Sequence, residues 1–111
     1  MAVSARFLDA VRDVLGFVPD LRLKRMFGGA GVYSGDLMFA LAIDDGLYLK
    51  ADAESEGAFA ALGLEPFLYR GRTGEPRPMS YRQAPDAVWE DEDVAREWAS
   101  RALGAAGRKR R

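Results

Sequence analysis

Residues Arg25–Ala51 read RMFGGAGVYSGDLMFALAIDDGLYLKA. After Gly28-Gly29-Ala30-Gly31 the apolar residues alternate or run in short blocks, interrupted at Ser34-Gly35-Asp36 and again at Asp44-Asp45-Gly46. Aromatic and aliphatic blocks bounded by Gly, Ser and Asp mark strands joined by tight turns. The pattern predicts a three-strand meander with strands at Gly31–Ser34, Leu37–Ile43 and Leu47–Ala51. Asp45-Gly46 is its strongest hairpin signal, because glycine readily supplies the positive φ that such turns require.

Upstream, Phe7, Leu8, Val11, Val14 and Leu15 recur at helical intervals behind Ser4, a suitable N-cap, and ahead of Gly16, a candidate C-terminal stop. The opposite face carries Arg6, Asp9, Arg12 and Asp13, a solvated surface of alternating sign. Pro19-Asp20 breaks the chain, and residues 21–27 lead into the glycine cluster. Downstream, Asp52 can cap a short helix over Ala53–Leu62, with Phe59 and Leu62 inward and Gly63 as its stop. Residues 66–69 and 79–81 form two further strands, flanking a glycine- and proline-rich loop at 70–78 that is expected to be a turn or an extended lobe. A last helix over Glu92–Leu103 turns Val94, Trp98 and Ala102 inward. The domain is therefore expected to span 1–103, with 104–111 a basic, disordered tail.

At 111 residues the chain is long enough for one core and too short for two domains. No apolar run approaches the length of a membrane span, and charges interrupt the apolar stretch at the N-terminus, so a cytoplasmic protein without membrane attachment is expected. Cysteine and histidine are both absent. Disulfides, thiolate metal sites, cysteine nucleophiles and imidazole bases are thereby excluded, and the expectation is a non-enzymatic protein with no cofactor, no metal and no catalytic residue.

Gly28, Gly29 and Gly31 invite comparison with a phosphate cradle. The Gly-Lys-Ser/Thr of a P-loop is missing, position 34 is serine where the dinucleotide fingerprint needs glycine, and a strand follows rather than a helix. A close backbone approach or bulge explains them better. The acids Glu90, Asp91, Glu92 and Asp93 suit the positive end of the last helix, since they lack the spacing of a calcium loop. Trp89 and Trp98 read as core or interface anchors. Net charge is −1 but unevenly spread, with residues 1–30, the second hairpin (66–85) and 104–111 positive and residues 31–65 and 86–103 acidic. The candidate interaction or anion-binding residues are thus Arg25, Gly28, Gly29 and Gly31 at the first strand junction, and Arg70, Arg72, Arg77 and Arg82 in the second hairpin.

The run Arg25-Met26-Phe27-Gly28-Gly29-Ala30-Gly31-Val32-Tyr33, with Met38-Phe39-Ala40-Leu41 and Leu47-Tyr48-Leu49-Lys50, resembles the N-terminal domain of the TfoX/Sxy competence regulators. Pro66-Phe67, Tyr69, Met79-Ser80-Tyr81, Pro85, Trp98-Ala99 and Ala102-Leu103 extend the resemblance over nearly the whole chain; Arg82 stands where an aromatic is frequent. The resemblance implies an α+β fold of order α-β-β-β-α-β-β-α, an antiparallel sheet of about five strands with flanking helices like that of secretion chaperones. The full regulators carry a second, helical domain, and this chain ends before it. The resemblance also implies a regulatory or interaction module that acts through a protein partner. An alternative is a small-ligand or weak nucleic-acid binder that uses the glycine cluster and the arginine hairpin. A homodimer is expected through an exposed strand edge or aromatic face, the edges being guarded only by Lys50 and Arg82. DNA binding is expected to be weak and sequence-independent at most.

Overall fold

The central alternation becomes three consecutive antiparallel strands, β2 (Gly29–Ser34), β3 (Leu37–Ile43) and β4 (Gly46–Lys50). The computed structural model describes residues 3–26, 28–70 and 76–110, with the backbone alone for 69, 70, 76–79 and 110. The complete order is α1 (Ala5–Val14), β1 (Leu21–Met26), β2, β3, β4, α2 (Glu56–Ala61), β5 (Pro66–Arg70), β6 (Pro76–Gln83), a 3₁₀ turn (Asp86–Trp89) and α3 (Glu92–Arg110). The fold is α+β, as expected, but the antiparallel sheet has six strands in the order β1-β2-β3-β4-β6-β5. The extra strand is β1, where Leu21 and Leu23 alternate with the exposed Arg22 and Lys24.

The β3–β4 turn uses a different device from the one expected. Ile43 pairs with Gly46, so Asp44 and Asp45 are the two loop residues, with φ of 50° and 59°. Two consecutive positive φ values define the turn whose twist matches a hairpin. Asp tolerates that region better than most side chains, and Gly46 is left as the first strand residue. Gly16 likewise follows α1 without a positive φ, whereas Gly63 does stop α2 at φ 66°.

α1 begins at Ser4, whose hydroxyl accepts the Phe7 amide at 3.1 Å and donates to Asp45 Oδ1 at 3.1 Å, tying the helix start to the β3–β4 turn. α2 starts later than expected, because Asp52 and Ser55 close a turn of their own. Asp52 Oδ1 accepts the amides of Glu54 and Ser55 at 3.2 and 3.1 Å. Phe59 is fully buried, but Leu62 is 58% exposed and does not face inward.

The largest departure concerns residues 104–110, which continue α3 rather than forming a disordered tail. Ala95, Trp98, Ala99, Ala102, Ala105 and Ala106 are buried along one stripe, so burial carries the helix past Gly104 and Gly107. At its other end, Asp91 Oδ1 accepts the amides of Asp93 and Val94 at 2.9 and 3.3 Å, as an N-cap does.

α3 packs on β3 and β4. Ala30, Val32, Phe39, Ala40, Ala42, Leu47 and Leu49 form the sheet's contribution to the core, beneath Leu8 and Val11 of α1, Leu15 just after it, Phe59 of α2 and the alanine stripe of α3. Alanines recur on both sides of this contact, at 30, 40 and 42 in the sheet and at 95, 99, 102 and 106 in α3. Phe59 and Trp98 meet edge-on with ring centres 4.9 Å apart, and Phe7 lies 5.5 Å from Trp89.

Candidate interaction surface

All three helices cover the same side of the sheet, and the register assigns the other side. Cross-strand partners share a face. Lys24 lies opposite Gly31, Gly31 opposite Leu41, Leu41 opposite Tyr48, and Lys50 opposite Tyr81. Met26, Tyr33, Met38 and Ile43 join them. This open side carries aromatic and methionine side chains that are half-buried by one another. Tyr48 and Phe67 rings stand 5.2 Å apart, and the Lys24 ammonium lies 5.7 Å from the Tyr33 ring centre. Leu41 and Tyr81 are buried yet stand apart from the helix-side core.

The glycine cluster serves this face. Gly28 adopts φ 78°, and its carbonyl accepts the Val3 amide at 2.8 Å. A Cβ on Gly29 would lie 2.6 Å from the Ala42 carbonyl oxygen, an immovable backbone atom. A Cβ on Gly31 would instead meet the ends of Met38, Tyr33 and Met26 at 2.8, 2.9 and 3.2 Å. Gly29 permits close backbone approach, and Gly31 is the floor over which the large side chains fold.

Of the other candidate residues whose side chains are described, Arg25 adjoins the cluster and Arg82 does not. Arg25 lies on β1, where its guanidinium donates to the Val3 carbonyl at 3.4 Å. Arg82 is interior rather than an edge guard: it donates to the Leu64 carbonyl at 2.5 Å and pairs with Glu56 of α2. Arg70 and Arg77 belong to β5 and β6 with their side chains outside the described set, and Arg72 lies outside the described residues. β2 and β6 are separated by β3 and β4, three strand spacings or roughly 14 Å. One ligand site built from the glycine cluster and the arginine hairpin is therefore not formed by the residues described.

Lys50, expected to guard an edge, is enclosed between β3 and β6 at 5% exposure. Its ammonium hydrogen-bonds the Ser80 hydroxyl and lies 4.9 Å from the Tyr81 ring centre. Burial lowers its pKa, the Lys109 charge lowers it further, and Asp52 acts in the opposite sense. Burial pushes the Tyr81 phenol up to about 12, with Tyr33 adding to the effect. Arg108 donates to both Asp52 oxygens, at 2.6 and 3.0 Å, and reaches Glu54 at 2.5 Å. The Arg108 hydrogen bonds hold the Asp52 carboxyl well below its ordinary value. None of these residues was legible as a group, since only the unexpected turns of α3 bring Arg108 and Lys109 to the ends of the strands. The alanine spacing at 99, 102, 105 and 106 was the available signal.

Among the described residues no cluster of three or more Asp or Glu is placed to hold a metal ion, and no helix is long and apolar enough to cross a membrane. Helices on one side of an open antiparallel sheet, with an aromatic surface on the other, place the protein among small α+β open-sheet domains. The sequence pattern of the TfoX N-terminal domain matches residues 13–106, and the chain belongs to that family. It is similar to the DNA transformation protein TfoX1 of Aliivibrio fischeri (strain ATCC 700601 / ES114), at 38% identity over 71 residues that cover 64% of this chain and 32% of that protein. The match spans about a third of the relative's length.

Proposed function

We propose that this domain is a non-enzymatic regulatory module of DNA-uptake competence that acts through a protein partner docked on the open side of the sheet. The observation that carries the proposal is the concentration of Met26, Tyr33, Met38, Tyr48 and Phe67 on a face that, among the described residues, no helix covers. Aromatic and methionine side chains are enriched in interface cores, and methionine adapts readily to a partner's shape. The competence role rests on the family and on the name of the similar transformation protein. The absence of histidine and cysteine supports a binding rather than a catalytic role.

A capture experiment from nuclease-treated native cytosol tests the proposal. Wild-type domain is expected to retain a discrete partner that a Met38→Thr/Tyr48→Thr variant loses. Equal retention by both proteins would remove the open face from the interaction. If the bound species is a second copy of the chain, light scattering will show a dimer that the same variant dissolves.

DNA is the less favoured partner. Arg108 is committed to Asp52 and Glu54, and the first turn of α3 carries Glu92 and Asp93. Binding to random and promoter duplexes is expected to be weak, salt-dependent and equal. A preference above about a hundredfold, well into the range of specific recognition, would replace the protein-partner reading with direct DNA regulation.

A further inference from the structure

At the end of the sheet, two hollows of about 480 and 500 Å³ share Lys50, Ser80 and Lys109. Lys50 is the unusual member. It is a buried ammonium whose hydrogen bond goes to a neutral hydroxyl, and among the described residues no carboxylate lies within ion-pair distance of it or of Lys109. Charges in such positions are ordinarily paired. Asp52, the carboxylate that acts on Lys50, has both oxygens engaged by Arg108. Both ammonium groups line the shared space, and burial followed by the Lys109 charge lowers the Lys50 pKa.

We propose that this pocket binds a small phosphate monoester, with its phosphoryl group held by Lys50, Lys109 and the Ser80 hydroxyl and its organic part against Tyr81, Leu37 and Ala106. Two ammonium groups and a hydroxyl offer donors to three terminal oxygens, and two positive charges match a phosphate close to the dianion at neutral pH. An anion placed between Lys50 and Lys109 also converts their repulsion into attraction to a shared partner. Asp36, Asp52 and Glu54 stand on the rims of the two hollows. Their charge disfavours a long polyanion such as a nucleic-acid backbone and leaves room for a compact ligand. The hollow adjoins the proposed docking face at Met38, but the titration uses the chain by itself, so failure of either proposal leaves the other standing.

Titration calorimetry of the whole chain with phenyl phosphate, inorganic phosphate and benzoate, near pH 7.5, tests it. Phenyl phosphate is expected to bind saturably in the millimolar range or tighter, and benzoate more weakly. Lys109→Gln, at an exposed position that leaves the core intact, is expected to weaken phenyl phosphate roughly tenfold, the scale of one charge-assisted hydrogen bond. Lys50→Met is expected to abolish binding. An Arg96→Gln control, distant in the fold, should bind as wild type does. Tighter binding of phenyl phosphate than of inorganic phosphate assigns the pocket to esters, and equal binding assigns it to free phosphate; either outcome supports an oxyanion site. No saturable heat with phenyl phosphate up to about 10 mM, or an unchanged affinity in Lys109→Gln, overturns it.

Discussion

The two faces of the sheet are built from different residues for different ends. Beneath the helices the sheet presents Ala30, Val32, Phe39, Ala40, Ala42, Leu47 and Leu49, which pack against the helices to fill the core. The open side presents Met26, Tyr33, Met38, Tyr48 and Phe67, which rest on glycine and on one another. A closely packed, fully buried face on one side and a half-buried one rich in Met, Tyr and Phe on the other suggest a division of labour. The covered face packs the core, and the open face is the one proposed to receive a partner.

Phe59→Ala should show the largest effect. The ring is fully buried against Trp98, and its removal is expected to cost about 3–5 kcal/mol in urea unfolding. A much smaller loss would mean that the helix side does not dominate stability. Truncation after Leu103 comes next. It removes the buried Ala105 and Ala106 and the Arg108 contacts to Asp52. The expected loss is about 2 kcal/mol from apolar burial alone, and an unchanged midpoint would return residues 104–111 to the status of a tail.

The glycines sharpen the contrast within the open side. Gly29→Ala drives a methyl group into the Ala42 carbonyl and is expected to cost about 1–3 kcal/mol. Gly31→Ala meets only the mobile ends of Met38, Tyr33 and Met26, so less than about 1 kcal/mol is expected. Reversal of that order would show that the open face is rigid and belongs to the core.

The smallest effect concerns the seam between α3 and the loop after β4. The folded Asp52 carboxyl ionises below its ordinary value of 3.8 because of Arg108. Its contribution is therefore complete above the unfolded value and is lost as pH falls from there toward the folded value. Asp52→Asn should melt below wild type at neutral pH, and the two curves should converge as pH falls below about 4. A constant difference across pH would assign the contact a purely steric role.

Most of the meander was legible because its apolar blocks and its Gly, Ser and Asp turns agree with each other at every step. β1 was harder to see, since Leu21 and Leu23 alternate with Arg22 and Lys24 and the charges dominate so short a segment. The end of α3 was hidden by Gly104, Gly107 and the basic residues, although the alanines carried the helical spacing. For the site, the sequence named arginines that the strand order then kept apart. β6 inserts between β4 and β5, which encloses Lys50 and sends Arg82 beneath α2. Composition along the chain does not specify which strand becomes interior. The Lys50–Lys109 pocket depends on that insertion as well as on the extra turns of α3.

The division between a folding face and a binding face is tested most directly by the urea unfolding free energy of the Met38→Thr/Tyr48→Thr variant. Threonine keeps the preference for a strand while removing the large apolar surface. The variant is expected to lie within about 2 kcal/mol of wild type, well short of the Phe59→Ala loss. A loss equal to that of Phe59→Ala would contradict the account, because the open face would then hold the fold together and would not be spare for a partner.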